Sequence, residues 1–205
     1  MREAENVRSI SYLKPDYMGL IFYAGSPRNS IGIDKEIVKS LSNDVTPVGV
    51  FVNSNLKDLF ELTEYYDIST LQLHGNESPE YCQELKTYGF QIIKAISIPE
   101  NASDDIFNDL DKYRGKVDMF LFDTKGKSQG GNGFKFDWEI LNSYKGNIPY
   151  ILSGGIEKDD ADYLSKSLPD KCVGVDINSK FEISPGLKDV KLVKLFIEGI
   201  RNGKE

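Results

Sequence analysis

Asp123 is the side chain in this sequence with the clearest chemical potential, because it ends the apolar run Met119-Phe120-Leu121-Phe122. A carboxylate in such a position is partly desolvated, which favours its protonated form and suits it to general acid catalysis. The structural alternative is an aspartate that only caps the next turn, which is common. The glycine-rich segment at 125–134 could close over a ligand or could be a long exposed connection.

A second group of residues has the character of a phosphate site. Ile151-Leu152-Ser153 runs into the paired glycines Gly154 and Gly155, which let the backbone approach an anion and direct N–H groups at it. The next apolar run ends in Asp176, and Asn178 with Ser179 follows it as a pair of side-chain donors. A tight strand-to-helix turn and an Asx or Ser turn explain the same residues without a ligand.

Gln72, His74 and Arg28 complete the candidate set. Gln72 and His74 alternate with leucines, so both side chains point to the same face of a strand. Since the sequence contains one histidine, it gives no basis for a metal cluster, and a lone histidine is more often structural than catalytic.

The elements that must position these residues form a repeat of short strands and helical stretches. Seven apolar strands begin every 21 to 31 residues, at 17–22, 47–52, 70–74, 91–97, 118–123, 149–153 and 172–177. Strand–helix units of this length form parallel sheets and, in sufficient number, a (β/α)8 barrel, whose chemistry lies at the carboxyl ends of the strands. The sequence therefore predicts an α/β fold, a (β/α)8 TIM barrel, as one domain over residues 1–205.

Composition restricts the class of protein. At 205 residues and 40% hydrophobic, the chain can bury a large core, and it lacks the run of about 20 apolar residues that a membrane span requires. The net charge of −7 offers no basic field for nucleic acid or an anionic membrane. The expectation is a cytoplasmic enzyme. Cys82 and Cys172 form neither a CxxC pair nor a disulfide framework.

Taken in order, these motifs resemble one family, phosphoribosylanthranilate isomerase of tryptophan biosynthesis. The resemblance runs through nearly the whole chain and is carried by the following segments: Gly19-Leu20-Ile21-Phe22, Ser26-Pro27-Arg28, Val48 to Asn53, Leu71 to Gly75, Phe122-Asp123-Thr124, Gly130 to Phe134, Asp137-Trp138, Leu152 to Gly155, Val175-Asp176 and Pro185-Gly186.

The resemblance implies an Amadori rearrangement of N-(5-phosphoribosyl)anthranilate to the open-chain aminoketose, without metal or organic cofactor. The implied roles are a general acid at Asp123, a cation for the anthranilate carboxylate at Arg28, and a substrate-orienting carboxylate at Asp176. The implied phosphate ligands are Gly154, Gly155, Asn178 and Ser179. Gln72 and His74 are implied only to line the pocket.

The N-terminus departs from the family pattern. Family members begin with a short strand ending in Cys-Gly, whose thiol is the general base, whereas residues 1–8 resemble the sequence just after that pair. The resemblance therefore implies that the first strand and the general base are absent from the chain as given, and that seven strands are expected. Loss of a general base typically costs a factor of about 10² to 10⁴ in rate. We therefore expect weak ligand binding, poor turnover, and unpaired edges at the first and last strands that favour self-association.

Two other classes stay open on the sequence. One is a different phosphate-binding barrel, such as indole-glycerol-phosphate synthase or a sugar-phosphate epimerase, for which Lys94 is the one lysine inside a strand. The other is a non-catalytic or truncated barrel that retains phosphate-ligand binding or only assembles with a partner.

Overall fold

The computed structural model describes residues 1–124 and 135–203, and its centre is a parallel sheet of seven strands hydrogen-bonded in chain order. The strands are β1 Tyr17–Ile21, β2 Thr46–Phe51, β3 Thr70–Leu73, β4 Gln91–Ile98, β5 Met119–Thr124, β6 Tyr150–Leu152 and β7 Cys172–Val175. Each observed strand ends within two residues of its predicted bounds, so the strand prediction is confirmed. The expected single domain stays a prediction, and residues 125–134 lie outside the described part of the chain.

Helical segments connect the strands. The α-helices are α1 Ala4–Ser11, α2 Lys35–Lys39, α3 Leu56–Tyr66, α4 Pro79–Thr87, α5 Ala161–Ser167 and α6 Val190–Asn202, and 3₁₀ helices cover Asp104–Tyr113, Trp138–Ser143, Lys158–Asp160 and Ser179–Phe181. Local sequence sets several of their starts: Ser78 accepts a hydrogen bond from the Tyr81 N–H with Pro79 in the first turn, and Asn55 accepts one from the Asp58 N–H.

A short hairpin follows β7 that the sequence analysis did not predict. Strands β8 Glu182–Ser184 and β9 Leu187–Lys188 pair antiparallel around Pro185-Gly186, and Gly186 has a positive φ of 85°. The hairpin brings Glu182 and Lys188 to the carboxyl end of the sheet, where they become part of the site described below.

The two faces of the sheet pack differently, because successive side chains of a strand alternate between them. The outer face joins the helices in the main core, to which Leu71, Leu73, Phe120, Phe122 and Leu152 belong. The inner face holds a separate small apolar cluster: Val48, Ile93, Ala95, Met119, Leu121 and Ile151. Asp123 shares the inner face with Leu121, and His74 shares it with Gln72.

The sheet curls but does not close in the described residues, since no ladder joins β1 to β7 there. A cavity of about 1060 Å³ runs along its inside and is lined by residues of both edge strands. The seven parallel strands are those of a (β/α)8 barrel with one strand missing, as predicted. None of the helices in the described ranges has the length and apolarity that crossing a membrane requires.

Candidate active site

The predicted site residues are brought to one end of the sheet. Asp123 is the second-last residue of β5, and His74, Ser153 and Asp176 directly follow β3, β6 and β7. Because all seven strands are parallel, their carboxyl ends meet at the same rim, and all of the predicted residues line the cavity. The structure therefore brings together the residues that the sequence singled out.

Asp123 belongs to a chain of three side chains. Its Oδ2 lies 3.2 Å from Nε2 of His74, and Nδ1 of the same ring lies 3.1 Å from Oε1 of Gln72. The two contacts join Gln72, His74 and Asp123 in one chain of side chains at the cavity wall, which orients the carboxyl group of Asp123.

Asp176 is a second carboxylate beside this chain. Its Oδ2 accepts a hydrogen bond from Oγ of Ser153 at 3.0 Å, and its N–H donates to the carbonyl of Leu152 at 2.8 Å. Burial is the largest cause that raises the pKa of Asp176, and the nearby charge of Asp123 adds to it. Both effects favour the protonated form of Asp176.

The turn after β6 has the backbone conformation that a close approach to an anion requires. Gly154 and Gly155 have φ angles of 91° and 67°, in the left-handed region that disfavours other residues. A Cβ at Gly154 would collide with the backbone N and the Oγ1 of Thr124. That Oγ1 is buried and has no hydrogen-bond partner among the described residues. The turn is therefore tightly packed and leaves a polar atom unsatisfied beside it.

The cations of the site are already engaged. The Arg28 guanidinium binds Glu182 through Nε–Oε2 at 2.9 Å and Nη2–Oε2 at 2.7 Å, with side-chain exposures of only 10% and 3%. Lys188 Nζ contacts the same carboxylate at 3.2 Å and donates to Asn178 Oδ1 at 2.7 Å. The predicted anion-binding residues Arg28 and Asn178 thus line the cavity but have protein partners in this state.

The α-amino group of Met1 is a further basic group in this region. It contacts the carbonyl of Gly19 on β1 at 3.4 Å, and the Met1 carbonyl accepts a hydrogen bond from Ser30 Oγ at 2.6 Å. Burial is the main cause that lowers the pKa of this amine to about 5, and Lys188 adds to the effect. Two basic side chains, Arg28 and Lys188, therefore contact Glu182, and its charge also acts on the Met1 amine.

Sequence reasoning missed Glu182 and Lys188. Their signal was the dipeptide Pro185-Gly186 between two short segments, which is typical of a hairpin. Recognising it would have predicted a hairpin and the proximity of both residues. Their contact with Arg28, however, spans more than 150 residues of chain and follows only from the tertiary structure.

Comparison with known proteins decides the family. A family model described as N-(5'phosphoribosyl)anthranilate (PRA) isomerase matches residues 1–199. The chain belongs to this isomerase family. A relative of that name from Parabacteroides distasonis is 42% identical over 202 residues, which cover 98% of this chain and 90% of the relative.

Two solved structures of the isomerase family have the same fold. The phosphoribosyl anthranilate isomerase of Thermotoga maritima aligns with a TM-score of 0.81 at 27% identity, over 98% of this chain and 96% of the other. A second structure, a complex with reduced 1-(o-carboxyphenylamino)-1-deoxyribulose 5-phosphate, aligns with a TM-score of 0.78 at 25% identity, over 98% and 95%.

Neither cysteine is placed to act as the base of such an isomerase. Cys82 is fully buried in α4, where burial raises the pKa of its thiol to about 11. Cys172 is the first residue of β7, at the amino end of the strand, and its Sγ contacts the carbonyl of Gly174 at 3.3 Å. Both placements agree with the sequence prediction.

Lys94 is not a pocket residue, in contrast to the alternative that the sequence left open. Its register partner is Leu73, so its side chain points to the outer face of the sheet, and it is only 2% exposed. A lysine there cannot reach the cavity to form a Schiff base with a ligand. In the described ranges, no group of three or more His, Cys, Asp or Glu side chains could hold a metal ion.

Proposed function

We propose that this chain binds N-(5'-phosphoribosyl)anthranilate and catalyses its Amadori rearrangement to 1-(2-carboxyphenylamino)-1-deoxyribulose 5-phosphate, a step of tryptophan biosynthesis. The observation that carries the proposal is the convergence of Asp123, Arg28 and the Gly154-Gly155 turn on one cavity at the carboxyl end of a parallel sheet. Membership of the isomerase family and a relative solved with a reduced product analogue support it.

In this proposal Asp123 is the general acid. It protonates the ribose ring oxygen, so that the ring opens to a Schiff base. The contact with His74 at 3.2 Å supports the role, because it holds the carboxyl group of Asp123 in one orientation at the cavity. His74 and Gln72 contribute orientation at the cavity wall, and Asp176 orients the sugar.

The phosphate is placed at the turn of Gly154 and Gly155, next to Asn178 and Ser179. The glycines expose backbone N–H groups to an anion, and the hydroxyl of Thr124 beside them, which has no partner in the described part of the chain, is a further donor that a phosphate oxygen would satisfy. The nearby cation Lys188 adds positive charge to this end of the cavity.

Arg28 pairs with the anthranilate carboxylate in this proposal. A planar guanidinium suits a carboxylate, but Nε and Nη2 of Arg28 already bind Glu182. The substrate carboxylate therefore uses the remaining N–H groups of Arg28, and Glu182 holds the guanidinium in its orientation.

The 205-residue form is proposed to turn over poorly, since neither of its cysteines occupies the place of a general base at the cavity mouth. The chain is further proposed to act in the cytoplasm, without metal or organic cofactor and without nucleic-acid or membrane partners. The outer edges of β1 and β7, which the described residues leave without a strand partner, are proposed to promote self-association.

Two measurements on the same sample test the proposal. Isothermal titration calorimetry with the reduced product analogue reports binding, and the loss of anthranilate substrate fluorescence reports turnover. The proposal predicts heat with a slow turnover that Asp123→Asn abolishes. Heat without any turnover indicates a binding remnant, and the absence of both contradicts the assignment.

A further inference from the structure

A buried ion pair lies just behind the active site and has no role in the chemistry described so far. Nζ of Lys94 contacts Oε2 of Glu77 at 3.0 Å, and each side chain is only 3% exposed. The pair lies on the outer side of the sheet, away from the cavity. Desolvation offsets much of the attraction between buried charges, so the pair is weak evidence for a role in stability. Its hydrogen bonds to the backbone indicate a different role.

Lys94 binds the backbone on both sides of His74. Its Nζ donates to the carbonyl of Leu73 at 3.0 Å, to that of Gly75 at 2.8 Å, and to that of Ala95 at 2.9 Å. An ammonium group has three donors, and all three have acceptors here. The peptide unit before His74 and the one after Gly75 are therefore fixed to β4.

Glu77 holds the same turn from the other side. Its carboxylate accepts hydrogen bonds from the N–H of Gly75 at 3.0 Å and from the N–H of Asn53 at 2.8 Å. A Cβ at Gly75 would meet Oε1 of Glu77 at 2.7 Å. The turn after β3 is thereby joined to the turn after β2, with no space for an alternative backbone path.

We propose that Glu77 and Lys94 are positioning residues that hold the His74 ring against Asp123. The pair holds the backbone of Leu73 and Gly75 on either side of His74. The N–H of His74 itself donates to the carbonyl of Phe51 at 2.8 Å. The ring then has little freedom to leave the carboxylate of Asp123. The inference rests on the proposed function for its kinetic consequence alone.

The sole histidine of the chain gives a direct readout, because its ring-nitrogen NMR signals need no assignment. The variants are Glu77→Gln, which keeps the side-chain volume and one acceptor oxygen, and Lys94→Met. Asp118→Asn is the matched control, since Asp118 also pairs with a lysine, Lys86 at 2.6 Å, and accepts a strand N–H, at the amino end of the sheet.

The expected result is that Glu77→Gln and Lys94→Met move the His74 ring-nitrogen signals in the direction that Asp123→Asn moves them, although neither residue touches the ring. Asp118→Asn leaves the signals in place. If Lys94→Met does not fold, Glu77→Gln decides alone. Unchanged ring signals in a folded Glu77→Gln, with only a lower Tm, would show that the pair is merely structural and overturn the inference.

Kinetics provides the second readout. Glu77→Gln is expected to lower kcat about tenfold, as a misplaced catalytic group does, while the affinity for the reduced product analogue stays within about twofold. An equal loss in Asp118→Asn contradicts a role through His74. If the wild-type chain neither binds nor turns over, the proposed function fails, and the ring signals still decide whether Glu77 and Lys94 position His74.

Discussion

The middle of the sheet and its two edges differ in how completely their strands are supported. Strands β2 to β6 have a hydrogen-bonded neighbour on each side, and inner-face residues such as Leu121 are 1% exposed. Strands β1 and β7 have one neighbour each in the described residues, and Tyr17 and Val173 are 38% and 52% exposed.

This difference divides the site into two parts. Asp123 and His74 belong to the supported middle and already contact each other, so the proposed general acid is held in place. Arg28 and Asp176 follow the edge strands, next to a gap that the Met1 amine enters at one end. The proposed acid is therefore independent of the gap, whereas the proposed substrate contacts of Arg28 and Asp176 lie beside it.

The largest expected effect comes from filling the gap. An extension upstream of Met1 that forms a strand ending in Cys-Gly is expected to raise kcat by about 10² to 10⁴, because it supplies a general base and pairs both edges. Substrate fluorescence measures the rate. The control is the same strand ending in Ser-Gly, which restores the pairing without the thiol. Equal turnover by the extended and the 205-residue chains would contradict the prediction.

The α-amino group of Met1 makes the free energy of unfolding depend on pH. Burial lowers the pKa of its amine from 8.0 to about 5, so between these values the unfolded chain binds a proton that the folded chain does not. The free energy of unfolding should therefore rise with pH across this range, by about 4 kcal/mol at most from this group. Urea denaturation at pH 5 and pH 8 measures the change, and N-terminal acetylation should remove it. The same pH dependence in the acetylated chain assigns it to other groups.

Paired truncations compare the two regions directly. Leu121→Ala leaves a cavity in the supported middle and should lower the free energy of unfolding by about 2 to 5 kcal/mol. Val173→Ala removes methyl groups that are half exposed and should change it by about 0.5 kcal/mol or less. Urea denaturation of both variants gives the two values. A comparable loss at Val173 would mean that the edge is as well packed as the middle.

The smallest effect is expected at Asp176. Burial raises the pKa of Asp176 above the ordinary aspartate value of 3.8, so the folded state binds this proton more strongly than the unfolded state does. The free energy of unfolding therefore falls as the pH rises above 3.8, and the loss is complete above the pKa of the folded state. Asp176→Asn should therefore raise Tm at pH 7 and lose this gain in acid, while turnover falls. Asp170→Asn, at an exposed position, is the control for Tm. A lower Tm at pH 7 for Asp176→Asn would contradict the prediction.

The sequence sufficed for the strands and for the rim residues because both depend on local pattern. Short apolar runs define the strands, and a polar residue at the end of such a run must lie at the carboxyl rim of a parallel sheet. Asp123 and His74 were predicted in this way. The contact between them was not, since it joins residues 49 positions apart.

Long-range charge pairing is what the sequence could not provide. Arg28 was predicted as the cation for the anthranilate carboxylate, and its pairing with Glu182 was missed because the β8–β9 hairpin brings the two residues together. Lys94 was considered as a pocket lysine because a side chain within a strand can lie on either face of the sheet. Only the register with Leu73 shows that Lys94 lies on the outer face. In both cases a buried partner carboxylate decides the role.

The most direct test of the central claim is a calorimetric titration of the 205-residue chain with the reduced product analogue, in the absence and presence of inorganic phosphate. The account predicts one binding site per chain whose apparent affinity falls as phosphate is added, because both compete for the Gly154-Gly155 turn. Binding that phosphate does not weaken, or no binding at all, would contradict the convergence of these groups on one phosphorylated ligand.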